Sequence, residues 1–321
     1  MDYVIIFALL LLLEVVYFKV ADRFNIIDKP NQRSSHKSIT LRGGGVVFLF
    51  GAWLYAAIFG FEYGWFLLGL TLIAGISFVD DIHSVPNRYR IVVHFVAMLL
   101  MFYQWGILTT QMWLWILLAW VVCTGIINAY NFMDGINGIT GGYSLAVLAP
   151  LALLNYHLAF VDQNLIYVAM LSLVVFCFFN FRTKAKCFAG DVGAIGIAYI
   201  VLFVLGSLVV QSGELWYLVF LVVYGVDSVL TIVHRLLLRE NIFKAHRKHA
   251  YQLMVNELGV PHTVVAGLYA LLQLAISLGA IYLPVSKWLY FWAVLLLLCV
   301  AYLLFMRRYY HLHEQYLVSR E

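Results

Sequence analysis

The sequence predicts an all-α integral membrane protein: a polytopic bundle of about eleven transmembrane helices (ten or eleven) forming a single domain over residues 1–321. Three observations carry this expectation. Hydrophobic residues make up 64% of the chain and charged ones 11%, whereas a soluble domain carries roughly 25% charged residues. Mean hydropathy is +0.92. Apolar runs near the length of about 20 residues that crosses a bilayer recur along the whole chain.

The first run, Tyr3 to Val20, lacks the basic start and small-residue cleavage site of a signal peptide and reads as the first span. Further spans are expected at 44–60, 65–79, 91–108, 112–129, 141–158, 164–181, 193–210, 214–233, 263–284 and 287–306. The joins Phe61–Gly64, Thr109–Gln111 and Gln211–Gly213 are so short that the spans they connect must form antiparallel hairpins. The longest polar stretches, 21–42 and 235–262, are too short to bury a core of their own.

Charge placement orients the bundle. Arg23, Lys29, Arg33, Lys37 and Arg42 lie in loop 21–42, Arg88 and Arg90 in loop 80–90, and Arg182, Lys184 and Lys186 in loop 182–192. Loop 235–262 adds Arg235, Arg239, Lys244, Arg247 and Lys248, and the tail adds Arg307, Arg308 and Arg320. With the spans above, all of these fall on one face, and only Lys287 lies opposite. The positive-inside rule makes the rich face cytoplasmic, with the N-terminus outside and the C-terminus inside. A multi-pass protein of the plasma (inner) membrane, with its chemistry facing the cytoplasm, is expected. Nucleic acid is not an expected partner.

The polar residues that interrupt the apolar chain gather on the same face. Loop 129–140 belongs to the stretch Asn128-Ala129-Tyr130-Asn131-Phe132-Met133-Asp134-Gly135-Ile136-Asn137-Gly138, which offers amide and carboxylate oxygens beside small residues, as a metal-bound phosphate requires. Asp80-Asp81 closes the third span, and adjacent carboxylates call for a cation or shared proton nearby. Gly190-Asp191-Val192-Gly193 opens the eighth span, where a helix N-terminus favours an anion.

His246 and His249, three residues apart, would share a helical face, with Arg247 and Lys248 alongside. Those cations favour a polyanion over a metal. Asp28 to Lys37, followed by Arg42-Gly43-Gly44-Gly45, has the same character. Glu62, Asp162 and Glu214 on the opposite face read as isolated solubilising residues. Glu14, His94 and Asp227 inside spans read as satisfied interior or helix-end groups. The four cysteines, at 123, 177, 187 and 299, show neither disulfide nor zinc spacing.

Taken in order, these segments resemble the polyprenyl-phosphate N-acetylhexosamine-1-phosphate transferase family over nearly the whole chain. The resemblance lies in Asp28-x-Pro30-x-x-Arg33-x-x-His36 with Arg42-Gly43-Gly44, in Asp80-Asp81, and in Asn128, Asn131, Asp134 and Gly135. It continues through Gly190 to Gly193 and His246-Arg247-x-x-His249. Two departures stand out. Many members carry Asp where this chain has Asn137, and the His-Arg-x-x-His form is more similar to the O-antigen and capsule branch than to members with adjacent histidines.

The resemblance implies transfer of a sugar 1-phosphate from a UDP-N-acetylhexosamine to a polyprenyl phosphate, releasing UMP and starting a lipid-linked glycan such as O-antigen, capsule or cell-wall polymer. It also implies Mg²⁺, with Mn²⁺ as a substitute, and leaves a homodimer open. Phosphoryl transfer then assigns Asp191 as leading metal ligand, with Asn131 or Asp134 as a second oxygen donor. Asp80 would orient or deprotonate the acceptor phosphate, and Asp81 would support the metal. His246, Arg247 and His249 would grip the donor diphosphate. Arg33, Lys37 and Arg42, near His36, would clamp the acceptor phosphate or shape the entrance, and Asn128 and Asn137 would contact substrate. Direct displacement and a covalent aspartyl-phosphate use the same residues.

Two rival classes predict other patterns. A secondary transporter would place charges at span midpoints in repeat-related broken helices, and no repeat joins the halves here. A membrane prenyltransferase would space its aspartates three or four apart in two loops, whereas Asp81 is followed by Ile82, His83, Ser84 and Val85.

Overall fold

The computed structural model describes residues 2–30, 35, 39–242, 244 and 246–318. Twelve α-helices are described: α1 (Asp2–Arg23), α2 (Val46–Phe59), α3 (Gly64–Ile82), α4 (Asn87–Gln104), α5 (Trp113–Met133) and α6 (Ile139–Leu158). They continue as α7 (Gln163–Asn180), α8 (Gly190–Ser212), α9 (Val222–Leu237), α10 (Ala250–Asn256), α11 (His262–Tyr282) and α12 (Lys287–Val318). A 3₁₀ segment, Leu215–Leu221, runs directly into α9, so the ninth expected span is one helical rod of two types.

Each of the eleven expected spans thus has a helix. Among the described residues, nine helical segments are long and apolar enough to cross a membrane. Val46–Phe59 is apolar but shorter, and Asn87–Gln104, which carries Arg88, Arg90 and His94, is not among the nine. The helices are an all-α polytopic membrane bundle. Their outer faces expose Leu114, Leu271, Leu289, Leu296 and Leu297, apolar surface suited to a bilayer.

Helix α8 is the axis of the molecule. It is apolar on every side and buried from Val192 through Leu205, as a helix without a polar face must be. Helices α2, α3, α5 and α6 pack around it, and α6 is in turn covered by α7 and α11. One close approach fixes how loop meets helix. Gly45 lies so tightly against Gly193 that a Cβ on Gly193 would sit 2.6 Å from the Gly45 Cα. Only paired glycines let the chain entering α2 press onto the first turn of α8.

The polar face also contains a small β element that the all-helical expectation lacked. Ile27–Asp28 pairs antiparallel with Thr40–Leu41. Leu41 then bridges to Cys187, with the Phe188 N–H donating to the Leu41 carbonyl at 2.8 Å and the Gly44 N–H donating to the Phe188 carbonyl at 2.9 Å. This backbone pairing ties the first polar loop to the segment leading into α8.

Three interior or opposite-face residues differ from expectation. Asp162 is a structural tie: it caps α7 by accepting from the Asn164 N–H and takes the Tyr55 hydroxyl at 2.8 Å. Glu14 and His94 are not fully satisfied. Glu14 accepts from the Cys187 thiol at 3.7 Å but leaves Oε2 buried without a partner, and His94 leaves Nε2 in the same condition.

Candidate active site

Helix ends and the loops between them supply every polar group of the site. Asp80 and Asp81 lie in the last turn of α3, and Asn128 and Asn131 lie on the final turns of α5, which extends to Met133. Asp134 follows at the helix end, and Gly138, with φ +87°, turns the chain into α6. A side chain there would be strained. Asp191 occupies the first turn of α8.

The carboxylates are organised by two arginines. Arg42 Nε lies 2.7 Å from Asp81 Oδ1, and its Nη2 lies 3.3 Å from Asp191 Oδ1. Arg90 Nη1 reaches Asp80 Oδ2 at 2.7 Å while its Nη2 reaches Asp191 Oδ2 at 3.1 Å. The planar guanidinium fork makes such bridging practicable where a lysine would be a point charge. Arg90 had been read only as a topogenic charge, and nothing in its sequence neighbourhood separates it from Arg88.

Asp81 has a different task from the one expected. Its side chain is fully buried, and its two oxygens accept from the Asp191 and Val192 N–H groups at 2.9 and 3.0 Å. The anion at the α8 N-terminus is therefore the protein's own carboxylate, capping orphan helix donors. Asp80 accepts from the Val85 N–H at 2.7 Å besides pairing with Arg90.

A cavity of about 350 Å³ opens beside these groups. Asp28, Arg42, Asn131, Asp134, Asn137 and Asp191 line it, with Ser35, Asn180, Phe188, His246, Gln252 and His262. A second, larger groove of about 820 Å³ runs between α4 and α5 and the 242–252 segment. It takes in polar Arg90, His94, Asn128 and His249 together with apolar Ile91, Phe95, Trp120 and Phe132. Asn131, Asp134, Gly135, His246 and Gln252 line both, so the two spaces adjoin.

Several side chains have settled orientations. Asp134 Oδ1 accepts the Thr140 hydroxyl at 2.6 Å, and burial, partly offset by that bond, raises its carboxyl to about 7. Asn137 donates through Nδ2 to the Arg182 and Thr183 carbonyls at 2.9 and 3.3 Å. Its Oδ1 is buried without a partner. An aspartate here would set a carboxylate against two carbonyls, which accounts physically for the amide. Asn128 is exposed, donates to the Thr124 carbonyl at 3.0 Å, and lines the groove only.

The histidine segment departs from expectation. Residues 246–249 precede α10 and are not helical, so His246 and His249 share no helix face. Their rings still meet, centroids 5.0 Å apart. Burial first, then the positive charges of Arg235 and Lys248, hold the His246 imidazole down to about 3, so it is neutral near pH 7. Arg247 turns to Glu257 at 3.0 Å and lines neither space, and Lys248 is bound to Glu240. Arg33, His36 and Lys37 lie outside the described residues.

Among the described residues no cluster of three His, Cys, Asp or Glu forms a metal cage. The donors Asp191, Asp134 and Asn131 do line one cavity. One or two carboxylates plus substrate phosphates and water is the usual way Mg²⁺ is held, so this hard-oxygen set fits such an ion.

Fold and site together define a polytopic membrane enzyme with an arginine-braced carboxylate centre. The glycosyl transferase family 4 model matches residues 63–213. A probable undecaprenyl-phosphate N-acetylglucosaminyl 1-phosphate transferase of Bacillus subtilis (strain 168) is 24% identical over 315 residues, covering 90% of this chain and 86% of the relative. An undecaprenyl-phosphate alpha-N-acetylglucosaminyl 1-phosphate transferase of Thermotoga maritima is 26% identical over 293 residues, covering 87% and 88%. A phospho-N-acetylmuramoyl-pentapeptide-transferase of Dictyoglomus thermophilum is 28% identical over 183 residues, covering 51% and 58%. Over most of its length the chain is similar to polyprenyl-phosphate N-acetylhexosamine-1-phosphate transferases, and it is a phosphoglycosyltransferase.

Proposed function

We propose that the protein transfers N-acetylhexosamine 1-phosphate from a UDP-sugar to undecaprenyl phosphate at the cytoplasmic face of the inner membrane, releasing UMP and starting a lipid-linked glycan. The observation that carries this reading is the junction of two unlike spaces. The polar cavity suits a nucleotide diphosphate sugar arriving from water, and the groove, with apolar Ile91, Phe95, Trp120 and Phe132 in its lining, suits a lipid phosphate arriving from the bilayer.

Asp191, with Asp134 and Asn131, would hold a divalent cation, Mg²⁺ being the expected one, which would offset the charge that develops on the phosphate of the departing UMP. Arg42 and Arg90 hold Asp191 in place and bring two positive charges to the junction, where they counter the phosphates. Asp80 lines neither space and would act through Arg90, with which it is paired at 2.7 Å. Asn137 Oδ1 is a fixed acceptor for an N–H of the donor. His246, neutral, contributes a hydrogen bond where the cavity meets the groove.

The test is purified protein given UDP-N-acetylhexosamine, undecaprenyl phosphate and Mg²⁺. UMP release that requires the lipid supports the reading. Release that is independent of lipid, or absent for every donor, removes it.

A further inference from the structure

Asp227 lies on α9 and lines neither the cavity nor the groove, yet it is the most heavily bonded carboxylate described. Its Oδ1 accepts from the Ala250 N–H at 3.0 Å and the Thr231 hydroxyl at 3.2 Å, and its Oδ2 accepts the Tyr269 hydroxyl at 2.7 Å and the Tyr251 N–H at 3.4 Å. A carboxyl surrounded on both oxygens by donors is in its ionised, acceptor-only form. The next neighbour is His249, whose Nδ1 lies 3.3 Å from Oδ1. An imidazole lone pair facing a carboxylate at that distance would repel it, so Nδ1 turns a proton toward Asp227 and Nε2 is the ring nitrogen left for a ligand.

The ring has little freedom. His249 is 2% exposed and is flanked by Tyr251 in a stacked contact at 5.7 Å, by His246, and by Phe132 at 6.3 Å. His249 lines the 820 Å³ groove, and its Nε2 is buried with no hydrogen-bond partner. A buried acceptor left unpaired costs about 1–3 kcal/mol unless a partner arrives. The groove is the space from which one can come.

We propose that Asp227 is a positioning residue for the transferase, holding His249 so that Nε2 offers an accepting lone pair to the protonated oxygen of the acceptor phosphate. This rests on the transferase reading above. A phosphate monoester has its second pKa near about 6, so part of the acceptor carries that proton at neutral pH. Sequence reading had treated Asp227 as an interior group satisfied for its own sake. The hydroxyl and amide donors around it instead set the tautomer of a residue in the groove wall, as carboxylates behind metal-ligating or catalytic histidines do.

A double-mutant cycle tests the assignment, scored as UMP release. Asp227→Asn should lower kcat by about 10- to 100-fold, with KM for either substrate moving less than about threefold. In a His249→Ala background the same change should cost less than about twofold more, because the residue through which Asp227 acts is gone. Losses that multiply, or Asp227→Asn keeping kcat within about twofold of wild type, would overturn the proposal. Should Asp227→Asn fail to fold, ¹⁵N NMR of histidine-labelled wild-type protein decides, with His249 assigned by its absence in His249→Ala. The proposal expects a protonated Nδ1 and a bare Nε2, and the opposite tautomer or a doubly protonated ring defeats it. The NMR result does not depend on turnover, so loss of the transferase reading and loss of the positioning role are separable.

Discussion

Replacing Gly193 with alanine adds one methyl group where two backbones touch. The new Cβ would lie 2.6 Å from the Gly45 Cα and 2.9 Å from the Ala189 Cβ, whereas carbon atoms rest at about 3.5–4.0 Å. The segment entering α2 must therefore retreat from α8 by roughly 1 Å. Overpacking of this kind costs about 1–3 kcal/mol, and the better helix propensity of alanine returns about 0.5–1 kcal/mol, which leaves a net loss of roughly 0–2.5 kcal/mol, centred at about 1 kcal/mol. The larger consequence is functional. Three residues before Gly45 stands Arg42, whose Nη2 already spans 3.3 Å to Asp191, and a further displacement of about 1 Å in a catalytic constellation costs on the order of 100-fold in rate. The assay pairs thermal unfolding in detergent with UMP release. Gly196→Ala is the control, because its Cβ would meet only the Ala74 Cβ at 3.9 Å. It should keep full activity and an equal or higher melting temperature. If Gly193→Ala also keeps activity within about twofold and melts with wild type, the claim that this glycine contact sets the Arg42–Asp191 geometry is wrong.

Asp191→Asn should abolish Mg²⁺-dependent UMP release, and a rate equal to wild type would refute its place as the principal metal ligand. Asp134 carries a carboxyl raised to about 7 by burial, and a metal needs the deprotonated form. Mg²⁺ affinity should then weaken by up to about tenfold for each pH unit below 7 and level off above it, and Asp134→Asn should flatten this dependence. An unchanged Mg²⁺ titration between pH 5.5 and 8 would contradict that. Because His246 is neutral, His246→Gln should keep activity within about threefold while His246→Ala loses more; equal losses would mean that its charge matters. Cysteine reporters replacing Glu62 and Lys244 should label from opposite sides of the membrane, and labelling from one side would overturn the orientation.

The helical bundle was legible because bilayer thickness leaves few options. A run of apolar residues of the right length reads as a spanning helix, and every expected span has a helix, with ends within a few residues except for α12, which runs to Val318, twelve residues past the expected end. Asp191, Asp134, Asn131, Asn137 and His246 stand out in the sequence because amides, carboxylates and a histidine interrupt an apolar chain, and in the fold all five line one cavity. What the sequence did not disclose depends on direction. Arg88 and Arg90 look alike in a row of letters, but only Arg90 bridges Asp80 and Asp191. Asp80 and Asp81 are neighbours that point to different partners. Arg247 sits among site residues and turns away to Glu257. Asp227, buried in an apolar helix, draws its importance from a loop more than twenty residues further along the chain. The β pairing of Leu41 with Cys187 was invisible for the same reason, since two short polar segments carry no periodicity.

The most direct test of the central claim is a panel of UDP-sugars assayed for lipid-dependent UMP release by the purified protein with undecaprenyl phosphate and Mg²⁺. The account predicts release with at least one UDP-N-acetylhexosamine, accompanied by a lipid-linked sugar diphosphate and lost when the lipid is withheld. No release from any UDP-N-acetylhexosamine would contradict it and restore the transporter and prenyltransferase readings.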